Sequence, residues 1–215
     1  MKICKKIFIY CLGLFFLALG VTFSIKSQLG ISPINSIPYI ISLITGFEQG
    51  HIIIGIFSIF ILIQIVLLRK NFKIINLFQI IFSVVFGYFV TFTNSLIIFE
   101  SPESYIAKLG LLFISMVFVA IGVILYLRAE MVPLPAEGCM LAIQSITKKE
   151  FHRIKTSFDV SLVITAAGLS IVFLGEFNGV REGTIISAIG IGKIIGFIEN
   201  NFDYQIENLL KFLQS

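Results

Sequence analysis

Long apolar runs make up most of the chain, and each run ends at charged residues or turn formers. A helix needs about 20 residues to cross a hydrocarbon core of about 30 Å. Because the runs are continuously apolar, rather than apolar at every second position, they predict helices and not the strands of a transmembrane barrel. The six predicted spans are Ile7–Ile25, His51–Leu68, Ile74–Leu96, Ala107–Leu127, Thr156–Leu174 and Gly183–Ile198.

Two further apolar runs are too short to cross a bilayer. Ile34–Phe47 and Ala136–Thr147 hold about a dozen residues each, which is enough for roughly 20 Å of helix. Each begins at a polar segment rich in turn formers, Gln28–Pro38 and Glu130–Gly138 respectively. These runs therefore predict half-helices or re-entrant segments.

The two halves of the chain resemble each other at a spacing of 102 residues. Moving the sequence by that number places Phe16–Glu48 on Phe118–Glu150 with nine identities over 33 positions, including glycine, proline and acidic positions. Since each half contains three spans, an odd number, the second half must enter the bilayer in the opposite orientation. We therefore expect an all-α polytopic bundle of six spans and two half-helices, built from two inverted-topology repeats.

This organisation predicts a single integral membrane domain over residues 1–215. The first repeat would cover about 7–97 and the second about 107–202, followed by a C-terminal tail at 203–215. The composition, 57% apolar and 13% charged, is typical of a membrane bundle and leaves no separate soluble domain to be expected.

The net charge of +4 arises from basic residues at the ends of the spans. Lys and Arg near span ends accumulate on the cytoplasmic side of a membrane. Six spans put Arg69–Lys73 on the same side as the N-terminus and as Arg128, whereas eight spans would export that cluster. The charge pattern therefore favours six spans, predicts cytoplasmic N- and C-termini, and indicates membrane flanks rather than a nucleic-acid partner.

Small and amide side chains inside the spans predict helix contacts. Glycines recur along the faces of the first and last spans, which favours close helix packing. These glycines are Gly13, Gly20, Gly190, Gly192 and Gly196. Gln79 and Asn94 in the third span, and Thr165 in the fifth, are expected to form hydrogen bonds between helices.

Three ionisable residues fall within predicted helices. Lys193 lies about ten residues into the sixth span, where an uncompensated ammonium costs several kcal/mol. Glu137 begins the second half-helix and Asp159 lies early in the fifth span, so both are candidate partners. The three residues could form a cavity-facing charge relay or substrate contact, or a structural ion pair that locks helices together.

The two helix breaks differ in their polar residues. Pro33 and Pro135 lack a backbone N–H group and suit the first turn of a helix, so each half-helix is expected to begin there. The first break is neutral and would suit an anion, whereas Glu137 makes the second acidic and suited to a cation or proton. Alternatively, these groups only satisfy free backbone groups. The candidate substrate-binding residues are Ser32, Pro33, Asn35, Ser36, Pro135, Glu137, Gly138, Asp159 and Lys193.

Several motifs are shared with a known family. They are Gln28-Leu29-Gly30-Ile31-Ser32-Pro33, Pro135-Ala136-Glu137-Gly138-Cys139-Met140, Lys155-Thr156-Ser157-Phe158-Asp159, Gly183-Thr184 and Gly192. In these motifs the chain resembles the YczE/YitT-like family of bacterial integral membrane proteins. It departs from the family at Val132, where a glycine is expected, and at Thr91, where an acidic residue is common. The resemblance implies a bacterial plasma-membrane protein with an export or transport role.

Two functions follow from these patterns. The first is a small-solute transporter or exporter with a central site between the two breaks, acting on an unknown small molecule. The second is a non-transporting membrane scaffold or accessory subunit, and homo-oligomerisation is left open. No catalytic triad, nucleotide loop or metal-ligand spacing is present in the sequence, so we expect neither an enzyme nor a cofactor or metal.

Overall fold

The computed structural model describes residues 2–149, 151–176 and 179–214, with the side chains of 3–149, 153–176, 179–198 and 200–201. Within these ranges the chain forms α-helices and short 3₁₀ turns and has no strand. The helices are α1 (Lys2–Ser27), α2 (Pro33–Thr45), α3 (Gln49–Leu68), α4 (Phe78–Leu96), α5 (Tyr105–Arg128), α6 (Pro135–Thr147), α7 (Phe151–Leu174) and α8 (Glu182–Gln214).

Five helical stretches in the described part are long and apolar enough to cross a membrane. They are Ile3–Ser27, Gln49–Asn71, Ile74–Leu96, Tyr105–Arg128 and Arg153–Leu174. The predicted all-α polytopic bundle is therefore confirmed. The sixth predicted span lies within α8, which continues as a helix through the predicted tail as far as Gln214.

Helix ends differ from the apolar boundaries by several residues in three places. Helix α1 begins at Lys2 and α7 at Phe151, ahead of the apolar runs that were used to place them. The third span begins with a 3₁₀ turn at Ile74–Leu77 before α4 starts at Phe78. At α1 and α7 the cause is that charged residues can continue a helix, so the change in polarity does not mark where the hydrogen bonding of the helix begins.

Aromatic and amide contacts fix the directions of the helices. The Tyr10 ring near the start of α1 lies 4.2 Å from Phe82 near the start of α4, so these helices run parallel. Tyr10 also lies 5.7 Å from Tyr126 near the end of α5, which makes α1 and α5 antiparallel. Gln64 near the end of α3 bonds Gln79 near the start of α4, so α3 and α4 are antiparallel as well.

The bundle therefore has two chemically distinct ends. At one end, α1 and α7 begin and α3 and α5 finish. We call this the basic end, because it carries Lys6, Arg69, Lys70, Lys73, Arg128, Lys148, Lys149 and Arg153. The other end, which we call the distal end, holds the end of α4 and the start of α8.

The two short helices lie at opposite ends of the bundle. Before α2, the carbonyl of Leu29 accepts a hydrogen bond from Gly183 at the start of α8. After α2, Gln49 accepts one from Asn94 near the end of α4, so both flanks of α2 are distal. Helix α6 instead begins beside Gln64 at the end of α3 and leads into the start of α7. Each has 13 residues, or about 20 Å of helix, which agrees with the prediction of half-helices.

Helices α1 and α5 pack with their backbones in contact. A Cβ atom at Gly13 would lie 2.7 Å from the backbone nitrogen of Tyr126, and one at Gly122 would lie 2.7 Å from the carbonyl oxygen of Gly13. Such an approach is open only to small residues. A Cβ at Gly20 would lie 3.0 Å from the carbonyl oxygen of Ser115, so the predicted packing role of Gly13 and Gly20 is confirmed.

The glycines of α8 do not all behave as predicted. Gly190 lies against Met116 of α5, where a Cβ would approach the sulfur atom to 2.6 Å. At Gly192 and Gly196, a Cβ would meet nothing within 4 Å. The prediction of close packing is therefore wrong for these two residues, because α8 turns them away from its neighbours.

We expect Gly122→Ala to destabilise the bundle by about 1–3 kcal/mol, because the added methyl group would meet the backbone of α1. Gly168→Ala is the matched control, since a Cβ there has open space and alanine favours a helix over glycine by up to about 1 kcal/mol. The measurement is the unfolding free energy of the purified protein in detergent. Equal stability of the two variants would contradict the described α1–α5 contact.

Candidate functional site

The chain folds back into the bundle before α6 begins. Glu130 stays near the surface of the basic end, where its Oε2 atom lies 2.7 Å from the Nζ atom of Lys6. Two residues later, the carbonyl oxygen of Val132 accepts a hydrogen bond of 3.0 Å from the Tyr10 hydroxyl. Tyr10 is buried and lies about 12 Å along α1 from its start. The first residue of α6, Pro135, is also buried, so this segment enters the bundle and α6 returns to its surface.

The turns before α2 and α6 share their conformation and their anchors. Gln28 and Glu130 both have a left-handed backbone, with φ of 55° and 52°. Lys108 of α5 donates a hydrogen bond of 3.0 Å to Gln28, as Lys6 of α1 does to Glu130. Gln28 and Glu130 differ by 102 in residue number, and so do Lys6 and Lys108. The hydrogen bond and charge of Lys6 lower the pKa of Glu130.

The break before α2 is polar and largely self-satisfied. Pro33 is the first residue of α2, as predicted, and its carbonyl oxygen accepts a 2.6 Å hydrogen bond from the buried Ser36 hydroxyl. The Asn35 side chain donates to the Ser32 hydroxyl at 3.0 Å. Its Oδ1 atom, however, is buried without a hydrogen-bond partner. Most of this break therefore satisfies its own polar groups, and Asn35 leaves one acceptor open.

The break before α6 rests on a pair of buried glutamines. The Gln64 amide donates to Gln79 at 2.9 Å and to the carbonyl oxygen of Pro135 at 3.1 Å, and Gln79 donates back to Gln64 at 3.3 Å. A Cβ at Gly138 would lie 2.7 Å from both amides, so glycine leaves the space that the pair occupies. The pair joins α3, α4 and α6. It confirms the contact role predicted for Gln79, while Gln64 was missed although it is a polar residue inside an apolar span.

Glu137, in the first turn of α6, is partly buried. Tyr126 of α5 lies near its carboxylate and interacts with it electrostatically. Its Oε2 atom is buried without a hydrogen-bond partner. Glu137 also interacts electrostatically with Lys155 and Asp159 of α7, so four residues from α5, α6 and α7 form one polar group.

The pair on α7 leaves a second carboxylate oxygen open. Lys155 Nζ lies 2.7 Å from Asp159 Oδ2, and the Asp159 side chain is 13% exposed against 45% for Lys155. Asp159 Oδ1 is buried without a hydrogen-bond partner. Lys155 contacts Asp159 directly and interacts with Glu137 electrostatically, so the two carboxylates share one ammonium. A proton or a cationic group could engage the two open oxygens.

The predicted residues form two separate groups, not one central site. Ser32, Pro33, Asn35 and Ser36 lie with α2, whose two flanks are distal, whereas Pro135, Glu137, Gly138 and Asp159 gather toward the basic end. Lys193 joins neither group, because its side chain is exposed on the surface of α8. This differs from our expectation that Lys193 would pair with a carboxylate. The sequence of a continuously apolar helix does not reveal which face turns inward.

Two concave spaces accompany these groups. The distal cavity has a volume of about 300 Å³ and a mostly polar lining. Its lining residues are Ser24, Ile25, Gln28, Gly30, Ile31, Tyr39, Gly179 and Arg181. A more open basic groove of about 520 Å³ lies between α6 and α7 beside Lys149 and Arg153. Neither is lined by Glu137, and the described residues contain no His, Cys, Asp and Glu cluster suited to a metal.

The chain belongs to a family of unknown function (DUF6198), whose sequence profile matches residues 4–200. No curated protein and no solved structure matches the chain. The resemblance to the YczE/YitT-like family stays a prediction.

We expect Gln64→Leu and Gln79→Leu each to cost about 1–3 kcal/mol, because each leaves a buried amide without its partner. The double variant should lose less than the sum of the two, since it removes both amides together. Unfolding free energies of the four proteins in detergent form a double-mutant cycle. Strictly additive losses would contradict a coupled pair.

Proposed function

We propose that this protein is a small-solute transporter or exporter of the bacterial plasma membrane, with α2 and α6 at the two mouths of the solute route. The support is architectural. Short helices that begin inside a bundle at opposite ends are characteristic of many secondary transporters, in which such helix ends face the substrate or ion.

We infer further that the two halves are an inverted repeat. The contacts between α1 and α5 are reciprocal: Gly20 meets Ser115 and Val119, and Gly122 meets Gly13 and Leu17. The residues of these two contacts correspond in pairs whose residue numbers differ by 102, such as Gly20 with Gly122. The lysines that anchor the two turns, Lys6 and Lys108, differ by the same number. A pseudo-two-fold axis between α1 and α5 would account for this agreement, and it supports alternating access by rocking of one half against the other.

We assign the basic end to the cytoplasm. The support is the concentration of Lys and Arg there, since these residues accumulate on the cytoplasmic side of short loops. Because α1 begins at the basic end and the chain crosses six times, both termini would be cytoplasmic. Glu137 would then be reached from the cytoplasm and the distal cavity from outside.

The buried Oε2 atom of Glu137 is the observation that carries the proposal. A carboxylate in a bilayer costs several kcal/mol unless it is paired or protonated, yet one of its oxygens has no hydrogen-bond partner. In the proposed cycle, this oxygen takes up a proton or the cationic group of the solute. Tyr126 and Lys155 interact electrostatically with the carboxylate, and Lys155 also holds Asp159.

We expect Glu137→Gln to reduce transport by about tenfold or more, because it removes the charge that the proton or solute engages. Proteoliposomes containing a pH-sensitive dye would be exposed to a panel of labelled amino acids, organic acids and polyamines. Proton movement and solute uptake would both be followed. Glu130→Gln is the matched control, since it neutralises an exposed carboxylate in the adjoining turn, and it should retain wild-type transport.

Failure of the folded wild-type protein to move any solute in the panel would count against transport. Equal loss in the Glu137→Gln and Glu130→Gln variants would instead remove the special role of Glu137. Folding of each variant is checked by its elution profile and its thermal transition in detergent.

One observation favours the alternative, a non-transporting scaffold or accessory subunit. Glu137 lines neither of the two concave spaces, and the glutamine pair closes the packing around α6. In a scaffold the carboxylate would only lock helices together through its charge, and neutralising one member of such a group is destabilising because the partner charge is left uncompensated. The scaffold therefore predicts no flux, together with lower stability of Glu137→Gln.

A further inference from the structure

The distal cavity is lined by two segments that are held together by backbone hydrogen bonds. Ile31 donates to the carbonyl oxygen of Gly179 at 2.9 Å, and Gly183 donates to that of Leu29 at 2.7 Å. The Arg181 guanidinium adds a 3.1 Å bond from Nη1 to the carbonyl oxygen of Gln28. The turn after α1 and the segment before α8 therefore form one wall of defined shape.

Small residues keep this space open. Ser24 lines the cavity at the position equivalent to Tyr126, and Gly30 at the position equivalent to Val132, since each pair differs by 102. At the basic end, the fully buried Tyr126 ring occupies the bundle interior. The distal end lacks this aromatic volume, so the same chain path leaves a cavity of about 300 Å³.

Two glycines complete the wall in conformations that other residues rarely adopt. Gly30 and Gly179 have φ of 116° and 73°, in the region that favours glycine. A Cβ at Gly179 would lie 2.8 Å from the Tyr39 ring, and one at Gly30 would lie 2.5 Å from the Thr184 hydroxyl. Side chains at these positions would shift the neighbouring wall, so the shape of the cavity depends on their absence.

The charge around the cavity is positive. Arg181 lines it, and Lys108 is held 3.0 Å from the side chain of Gln28, another lining residue. Glu182 offsets part of this charge, with its Oε2 atom 3.5 Å from Arg181 Nε. A guanidinium has five N–H donors. The hydrogen bond to Gln28 uses Nη1, and the ion pair with Glu182 involves Nε. Donors on Nη2 remain for a ligand.

We propose that the distal cavity binds a small anionic group, a carboxylate or phosphate, through the Arg181 guanidinium. A planar guanidinium matches the two oxygens of such a group. The volume lies at the lower limit of ligand pockets, about 300 Å³, which suits a small anion or the charged part of a larger solute. A role of this cavity as the entry site for a transported solute rests on the proposed transport function. The binding of an anion does not depend on that function.

Two sources could supply the anion, a soluble metabolite or the headgroup of an anionic lipid. Purified protein in a neutral detergent would be titrated with succinate and with inorganic phosphate, with putrescine as the cationic control, while its thermal transition is followed. In a second arm, phosphatidylglycerol and phosphatidylcholine nanodiscs would be compared. Saturable stabilisation by succinate or phosphate indicates a soluble anion, and stabilisation by phosphatidylglycerol alone indicates the headgroup.

We expect Arg181→Gln to weaken the binding of the active anion by about tenfold or more, since it removes the charged hydrogen-bond donors that face the anion. Arg69→Gln makes the same charge change at the basic end and should bind like the wild type. Ser24→Tyr places in the cavity the ring that its equivalent Tyr126 provides, and it should abolish binding by filling the space. If either cavity variant fails to fold, the other still decides the outcome.

Binding by Arg181→Gln or Ser24→Tyr that equals the wild type would overturn the proposal, as would a preference for putrescine over every anion. Absence of stabilisation in both arms for the folded wild-type protein would also overturn it. Transport is judged separately. An anion that binds but is never moved in proteoliposomes leaves the cavity assignment standing and removes the transport function.

Discussion

The backbone contact between α1 and α5 determines where the other elements can lie. Gly13 and Gly122 bring the two antiparallel helices together with no side chain between them. Each helix then carries a lysine that anchors the turn following the other, Lys6 to Glu130 and Lys108 to Gln28. A wider spacing of α1 and α5 would pull both anchors away from their turns. The positions of α2 and α6 therefore depend on this one close contact.

A second constraint comes from the backbone at the helix breaks. Polar backbone groups inside a bilayer need partners within the protein, and the two ends meet this need with different chemistry. At the basic end, Gln64 and Tyr10 donate to the carbonyl oxygens of Pro135 and Val132. At the distal end, the Ser24 hydroxyl donates to the carbonyl oxygen of Gly30. The large side chains of Gln64 and Tyr10 fill space at the basic end, whereas the small side chain of Ser24 leaves space at the distal end.

This difference separates the chemistry of the two ends. The acidic side chains Glu137 and Asp159 lie toward the basic end, and one oxygen of each is buried without a hydrogen-bond partner. At the distal end, the neutral Asn35 stands at the position equivalent to Glu137, and Arg181 contributes a positive charge to an open cavity. Similar chain paths thus carry opposite charges, as expected if each end meets a different part of a solute or a different ion.

Much of the fold could be predicted from the sequence, because length, polarity and proline have direct physical meaning in a bilayer. Pro33 and Pro135 do begin the short helices, since proline suits the first turn. The orientation of side chains could not be predicted in the same way. In a helix that is apolar around its whole circumference, no periodic pattern marks the inner face. For that reason the outward position of Lys193 and the inward position of Gln64 emerged only from the packed structure.

The central claim is that the turns before α2 and α6 open toward opposite sides of the membrane. It is tested most directly by labelling Gln28→Cys and Glu130→Cys separately, in a variant whose Cys4, Cys11 and Cys139 are replaced by alanine. A membrane-impermeant maleimide should label Gln28→Cys in intact cells, and it should label Glu130→Cys only after the cells are opened. Labelling of both variants from the same side would contradict the account.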